Sequence, residues 1–248
     1  MRSRSSTLVV ALAAGLAASV IGAVHARAVQ VPAAGKIVAS YSFDGRRTAS
    51  VVDESGQGHD LTLVASHGGA LKSITHGSGQ ALAFPAPCTR KGVKTCAHVA
   101  LRSPSSADLN PGTANISYGA ALELGATQTS KGQNIVQKGY SATSSQYKLQ
   151  VDGRAGRPSC VVVDDKKPTI QLVRSSVTVA DGVWHTVECR RTAGSLSILV
   201  DGRVRGTRMV PATLSITNNM PLAVGGKGAF TDNDQFQGAL DDVWVRIG

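Results

Sequence analysis

Glutamate is scarce in this sequence: Glu54, Glu123 and Glu188 are the only three among 16 acidic residues in a chain of 248. Glycoside hydrolysis needs two carboxyl groups held a few ångströms apart, and glutamate is a common choice for both. No two of these three are near in sequence. Aromatic residues are few as well, with 2 Trp, 4 Tyr and 4 Phe, too few to mark out a sugar-stacking platform. Charged residues make up 17% and hydrophobic ones 42%, a balance that fits neither a disordered chain nor a polytopic membrane protein. Missing too are the G-x-S-x-G, H-E-x-x-H and P-loop patterns and the close cysteine pairs of a zinc site. The neighbours Asp164-Asp165 and Asp241-Asp242 would point to opposite faces of any strand, so neither pair can share one substrate. A protein without catalysis is expected.

What is present begins with an export pattern. Arg2 and Arg4 precede an uncharged run from Thr7 to Val24, and Ala26-Arg27-Ala28 follows as a small-x-small cleavage motif. Residues 1–28 are expected to be a secretory signal and 29–35 a short linker, leaving one domain over 36–248 of a secreted, extracellular protein. An uncleaved anchor is the other reading, because the run sits at the lower edge of a bilayer span. Its richness in Ala and Gly favours cleavage. The net charge is +10, and losing Arg2, Arg4 and Arg27 leaves the domain basic.

Four cysteines, Cys88, Cys96, Cys160 and Cys189, in an exported chain point to two disulfides, with three pairings open. Cys88 and Cys96 flank a polar loop suited to a local clip. Cys160 and Cys189 fall in strand-like runs, where a cross-strand bridge would fit.

From residue 36 onward, short alternating apolar runs recur about every ten positions with turn residues between them, the pattern of a β-sandwich or barrel. Strands are expected over 36–43, 80–84, 97–102, 116–124, 134–138, 146–151, 160–163, 169–174, 183–191, 195–200, 222–224 and 237–247. Asp152-Gly153 and Asp201-Gly202 directly follow apolar runs, as two-residue hairpin turns do. No apolar stripe of helical period exceeds a turn or two, and residues 105–109 make at most one short turn.

Four blocks of sequence occur in a telling order. Tyr41-Ser42-Phe43-Asp44 leads to the turn Val52-Asp53-Glu54-Ser55-Gly56-Gln57-Gly58-His59-Asp60. Asp181-Gly182-Val183-Trp184-His185-Thr186-Val187 is followed by Ser195 to Val200 and then Asp201-Gly202-Arg203. The last block is Phe236-Gln237-Gly238-Ala239-Leu240-Asp241-Asp242-Val243-Trp244-Val245. Over 36–248 these blocks resemble the laminin-G-like domains of the concanavalin A-like lectin/glucanase superfamily. The resemblance implies an all-β fold, a two-sheet antiparallel jelly-roll β-sandwich. It also implies one structural calcium where the first and last strands meet, with Asp44 and Asp241 at the matching positions; such an ion takes six to eight oxygens. Retaining glucanases of the superfamily carry an E-x-D-x-(x)-E strand, which this sequence lacks.

Most hallmark residues read as architecture. Trp184 and Trp244 are expected in the core with Tyr41, Phe43, Phe84 and Phe236, leaving Tyr118, Tyr140, Tyr147 and Phe230 outside it. His185 alternates with Val183, Val187 and Cys189, so it shares their face as a hydrogen-bonded structural group. Asp53 and Asp60 lie in a Gly/Ser turn and cap their own backbone. Ligand contacts are expected instead from the oxygen-rich loop holding Asp232 and Asp234, and from Arg203 and Arg205, which with Arg208 follow the second hairpin. Arg90, Lys91, Lys94, Lys166 and Lys167 add further positive charge. Such charges draw in an anionic glycan or wall polymer by their field, unless they form an ordinary solvated surface. The expected function is a binding or adhesion module for extracellular carbohydrate, biased to anionic polymers. The alternatives are a glycoside hydrolase of the same superfamily with an unrecognised Asp site, and a module that binds another protein. No nucleic-acid partner is expected, since basic and aromatic residues do not interleave. Nor is stable membrane insertion expected after signal cleavage, or any cofactor beyond the calcium.

Overall fold

The computed structural model describes residues 35–45, 47–88, 96–142 and 145–248. The expected signal (1–28), nearly all of the linker, and Arg90, Lys91 and Lys94 lie outside the described residues. A compact unit spans Ala33–Gly248. Its first strands are β1 (Lys36–Tyr41), β2 (Ser50–Val51), β3 (Leu61–Ser66), β4 (Lys72–His76), β5 (Gly79–Ala83) and β6 (His98–Arg102). Then follow β7 (Ile116–Glu123), β8 (Gly132–Gly139), β9 (Gln146–Asp152), β10 (Arg157–Val163) and β11 (Ile170–Arg174). The last are β12 (Trp184–Thr192), β13 (Ser195–Val200), β14 (Arg203–Met209), β15 (Leu222–Val224) and β16 (Ala239–Ile247). Two short 3-10 turns, Ala107–Leu109 and Ala126–Gln128, are the only helical elements among the described residues. No helix there is long and apolar enough to cross a membrane.

The strands form two antiparallel sheets, so the expected two-sheet jelly-roll sandwich is what the chain adopts. The first sheet runs β14-β13-β12-β7-β16-β5-β4, with β1 also paired to β16; the second runs β11-β10-β9-β8-β15-β6-β3-β2. Alternate side chains of each sheet meet in one core: Tyr118, Leu122, Val187 and Val245 from the first, Leu101, Val136, Leu149 and Val162 from the second. Each such Leu or Val buried from water stabilises the fold by about 1.5–3 kcal/mol. The last strand organises the first sheet. One edge of β16 pairs with β7, while its other edge takes β5 at Ala239–Leu240 and β1 from Val243 onward. The switch falls at a register shift beside Asp241, where Asp242 has a φ of 45°.

Three expectations change. Trp184 and Trp244 are not core anchors: both are half-buried, out of phase with the buried Val187, Cys189, Val243 and Val245, so they lie on the outer face of the first sheet. There Gly119 leaves room for the Trp244 ring, which would stand 3.1 Å from any Cβ at that position. Tyr118 and Tyr147 take the core places instead, both fully buried with rings 5.1 Å apart. The expected Cys160–Cys189 bridge between strands forms; it joins β10 to β12, one strand from each sheet. Finally, Asp201-Gly202 is the two-residue hairpin expected, with φ of 51° and 71° as a primed turn requires. Asp152-Gly153 is not: Asp152 ends β9, and Gly153–Gly156 make a longer loop. The carboxylate of Asp152 is engaged across the strands, accepting from Gln150 and from Ser159 Oγ at 2.6 Å each.

Candidate ligand-binding site

The loop between β15 and β16 leaves the core, runs over the outside of the second sheet and returns at Phe236. Glycine is required where it departs: a Cβ on Gly225 (φ +73°) would meet the Phe84 ring at 1.9 Å, and one on Gly226 the Val99 carbonyl at 3.0 Å. Beyond them the loop is pinned to its neighbours. Asn134 N–H donates to the Asp234 carbonyl at 2.7 Å, and Val99 N–H to Gln235 Oε1 at 2.7 Å. Buried Asn233 donates to the Gly228 carbonyl at 2.6 Å. Asp232 and Asp234 both adopt left-handed backbone, with φ of 62° and 49°, a conformation Asp tolerates better than most residues. The Asp234 carboxylate closes on Lys227 Nζ at 2.5 Å.

This loop walls a cleft of about 280 Å³ whose lining includes the Cys88–Cys96 disulfide, His98, Lys131, Asp232 and Asp234. Lys131 also borders a hollow of about 440 Å³ that extends to Arg154. The structure therefore brings Asp232 and Asp234 to one polar cleft, but not Arg203 and Arg205. Those two sit on β14, the edge strand of the other sheet. Lys131 and the clip disulfide join the cleft without having been singled out for it, because their proximity depends on strand pairing that sequence spacing does not reveal.

The remaining hallmark residues hold the fold. Asp53, buried, accepts backbone N–H groups of Ser40, Ser55 and His59 at 3.0 Å each, and Asp60 accepts from Asp53 N–H at 2.8 Å. Burial pushes the Asp53 carboxyl up, but these donors outweigh it and hold it below the usual range. His185 bridges Asp201 (2.8 Å) and Asp181 (3.1 Å), as a structural histidine does. His76 is stacked on Trp184 with ring centres 3.7 Å apart, and its Nδ1 is 2.6 Å from Asp241 Oδ2. Burial pushes the Asp241 carboxyl up.

Asp44 and Asp241, the positions expected to hold calcium, both carry hydrogen-bonded carboxylates. Asp44 lies over Gly79 and accepts the Gln80 N–H at 2.7 Å; Asp241 is committed to His76. Calcium needs six to eight oxygens, so these two carboxylates would supply only part of its shell. Among the described residues no three His, Cys, Asp or Glu side chains gather as a metal cluster would. The glutamates are equally dispersed. Glu54 is held by Ser42 and Glu188 by Arg190. Register sets Glu123 opposite Trp184 and Glu188 opposite Gly119, four residues along the strand, so that their backbones are roughly 13 Å apart.

Comparison with known proteins agrees with this architecture. A family profile described as the concanavalin A-like lectin/glucanases superfamily, laminin-G type, matches residues 95–246. No curated protein sequence matches. Among solved structures, domain 4 of AbnA, a GH43 extracellular arabinanase from Geobacillus stearothermophilus, in complex with arabinotriose, is similar at a TM-score of 0.63 and 16% identity, covering 86% of this chain and 93% of that one. The binding domain of Paraclostridial Mosquitocidal Protein 1 has a TM-score of 0.62 and 11% identity over 85% of this chain and 48% of that one. The binding domain of botulinum neurotoxin DC, in complex with SialylT, gives 0.58 and 10% over the same shares. The chain thus spans about half the length of the toxin domains it resembles, and at these identities the likeness is one of fold.

Proposed function

Given that the chain belongs to the concanavalin A-like lectin/glucanase superfamily, we propose that it is an exported, non-catalytic module that binds extracellular carbohydrate, anionic polymers ahead of neutral ones. The observation that carries this reading is the cleft beside the Asp232–Asp234 loop: preformed, polar and braced by backbone hydrogen bonds and a disulfide. A recognition site gains affinity when its loops are ordered before the ligand arrives. Relatives in fold support the ligand class, since one was solved with arabinotriose and another with SialylT. The net charge of +10 stays positive, at +7, once Arg2, Arg4 and Arg27 leave with the signal, which favours acidic polymers, and disulfides agree with an oxidising compartment. Glu188 is held by Arg190 and Glu54 by Ser42, so neither is set in a carboxyl pair of the glycosidase kind, which supports binding without hydrolysis.

A glycan array with the purified protein tests it, run at low and high salt and with and without chelator. Binding to acidic glycans that fades with salt and ignores the chelator is expected. A silent array, or release of sugar from any polysaccharide of a panel, overturns the reading.

A further inference from the structure

The cleft beside the Asp232–Asp234 loop does not end at Lys131. Ser130 and Lys131 line both this cleft and the hollow of about 440 Å³ that continues to Arg154. The two depressions therefore form one path over the surface, with Ser130 and Lys131 as the divide between them. That divide is fixed on both sides. Towards the cleft, Gln128 Nε2 donates to the Gln237 carbonyl and Gln133 Nε2 to the Gln128 carbonyl, each at 2.7 Å. Towards the hollow, Gly153 N–H donates to the Lys131 carbonyl at 3.1 Å. Both depressions are thus in place before a ligand arrives, as preformed ligand sites are.

Charge is divided along this path. The hollow is lined by Thr129, Ser130, Lys131, Gly153 and Arg154, two cations and no carboxylate. Lys131 and Arg154 are both exposed, and among the described residues neither makes a hydrogen bond or an ion pair. Asp152, next in the chain to Gly153, gives its carboxylate to Gln150 and Ser159 instead. Cations on a convex surface are merely solvated, but low-dielectric walls concentrate their field within a concavity. The cleft differs. Its Asp234 is neutralised by Lys227, while exposed Asp232 has no cation of its own among the described residues. Beside that carboxylate a sugar hydroxyl finds an acceptor, whereas a second anion meets a like charge.

We propose that the path takes an oligosaccharide in which a neutral unit and an acidic unit are neighbours. The neutral ring lies in the cleft and donates its hydroxyls to Asp232. The acidic unit lies in the hollow, where Lys131 and Arg154 hold its oxyanion, arginine presenting a planar fork that matches a carboxylate or sulfate. Specificity then has a repulsive part, because Asp232 disfavours a chain that is acidic at every unit. The proposal deepens the glycan-binding reading and rests on it.

Calorimetric titration of the whole protein tests it with three probes of similar length: a xylan oligomer bearing a glucuronate group, the same oligomer without the acid, and a galacturonate oligomer. The mixed oligomer should bind at least tenfold more tightly than either of the others. Arg154→Met should weaken it tenfold or more, to the level of the neutral oligomer, and flatten its salt dependence. Asp232→Asn should narrow the gap between the mixed and the all-acid oligomers. Both side chains are exposed, and Asn tolerates left-handed backbone, so neither change disturbs the fold. An all-acid oligomer that binds as tightly as the mixed one, or an Arg154→Met protein with the parent's affinity and salt dependence, would overturn the assignment. A silent glycan array rejects the broader reading; acidic glycans that bind Arg154→Met as tightly as the parent reject only this one.

Discussion

Asp53 is an acidic residue whose whole environment is donors. Three backbone N–H groups converge on its carboxylate at 3.0 Å, and the Ser55 hydroxyl adds a fourth bond at 2.8 Å. Asp53→Ala would leave those buried donors without an acceptor. Hydrogen bonds to a charged group are worth about 1.5–3 kcal/mol each before neighbouring relaxation, so a loss of about 3 kcal/mol is expected by urea denaturation at pH 7. The pH dependence has a definite sign. The folded carboxyl titrates below its ordinary value, so its contribution is present above the unfolded pKa, near 3.9, and disappears as pH falls through the lower folded value. The stability gap between parent and variant should be constant from pH 5 to 7 and close below pH 4. A gap that widens with acid would show that Asp53 is not held as the anion.

At the scale of elements, His185 joins two pieces of chain. It lies at the start of β12 and binds Asp201 in the β13–β14 turn and Asp181 in the preceding loop. Burial pulls its pKa down, but the two carboxylates more than restore it and the imidazole titrates above its ordinary range. A raised folded pKa stabilises below the unfolded value, near 6.5, and that contribution is lost as pH rises through the folded one. Thermal melts of His185→Gln against the parent should differ most near pH 5.5 and least near pH 8.5; a gap that does not vary with pH would reduce the clasp to packing. The D-G-x-W-H spacing and the Asp201-Gly202 turn made this element legible, because local chemistry decides both. Strand β14 was not: Arg203, Arg205 and Arg208 break the apolar alternation, and an edge strand exposed at Arg203 and Arg208 needs none. Strand β4 was missed for a related reason, as none of its residues is fully buried. The tryptophans misled because small residues beneath them, such as Gly119 and Ala121, let large rings lie on the outside of a sheet. The cleft was half legible. Its Asp232–Asp234 wall is a composition signal, while Lys131 joins that wall only once strand register is known.

For the molecule as a whole, the two disulfides divide stability from recognition. Cys160–Cys189 is fully buried and ties one sheet to the other across a separation of 29 residues. Cys88–Cys96 closes a separation of 8 residues at the rim of the cleft. Chain-entropy arguments assign the longer closure about 3.7 kcal/mol and the shorter about 2.6 kcal/mol, a modest difference. Position separates them further. Cutting the inter-sheet bridge leaves two thiols facing each other within the core, whereas cutting the rim bridge frees a wall of the proposed binding site. Cys160→Ser with Cys189→Ser, which also buries two hydroxyls, should lower the melting temperature by roughly 10 °C, at about 2–4 °C per kcal/mol for a domain of this size. The surviving folded protein should keep the parent affinity for its glycan. Cys88→Ser with Cys96→Ser should melt closer to the parent yet bind at least tenfold more weakly, because the rim must then be ordered by the ligand itself. Equal losses of affinity in the two double variants, or intact binding without the rim bridge, would mean that the cleft is not where this molecule meets its ligand.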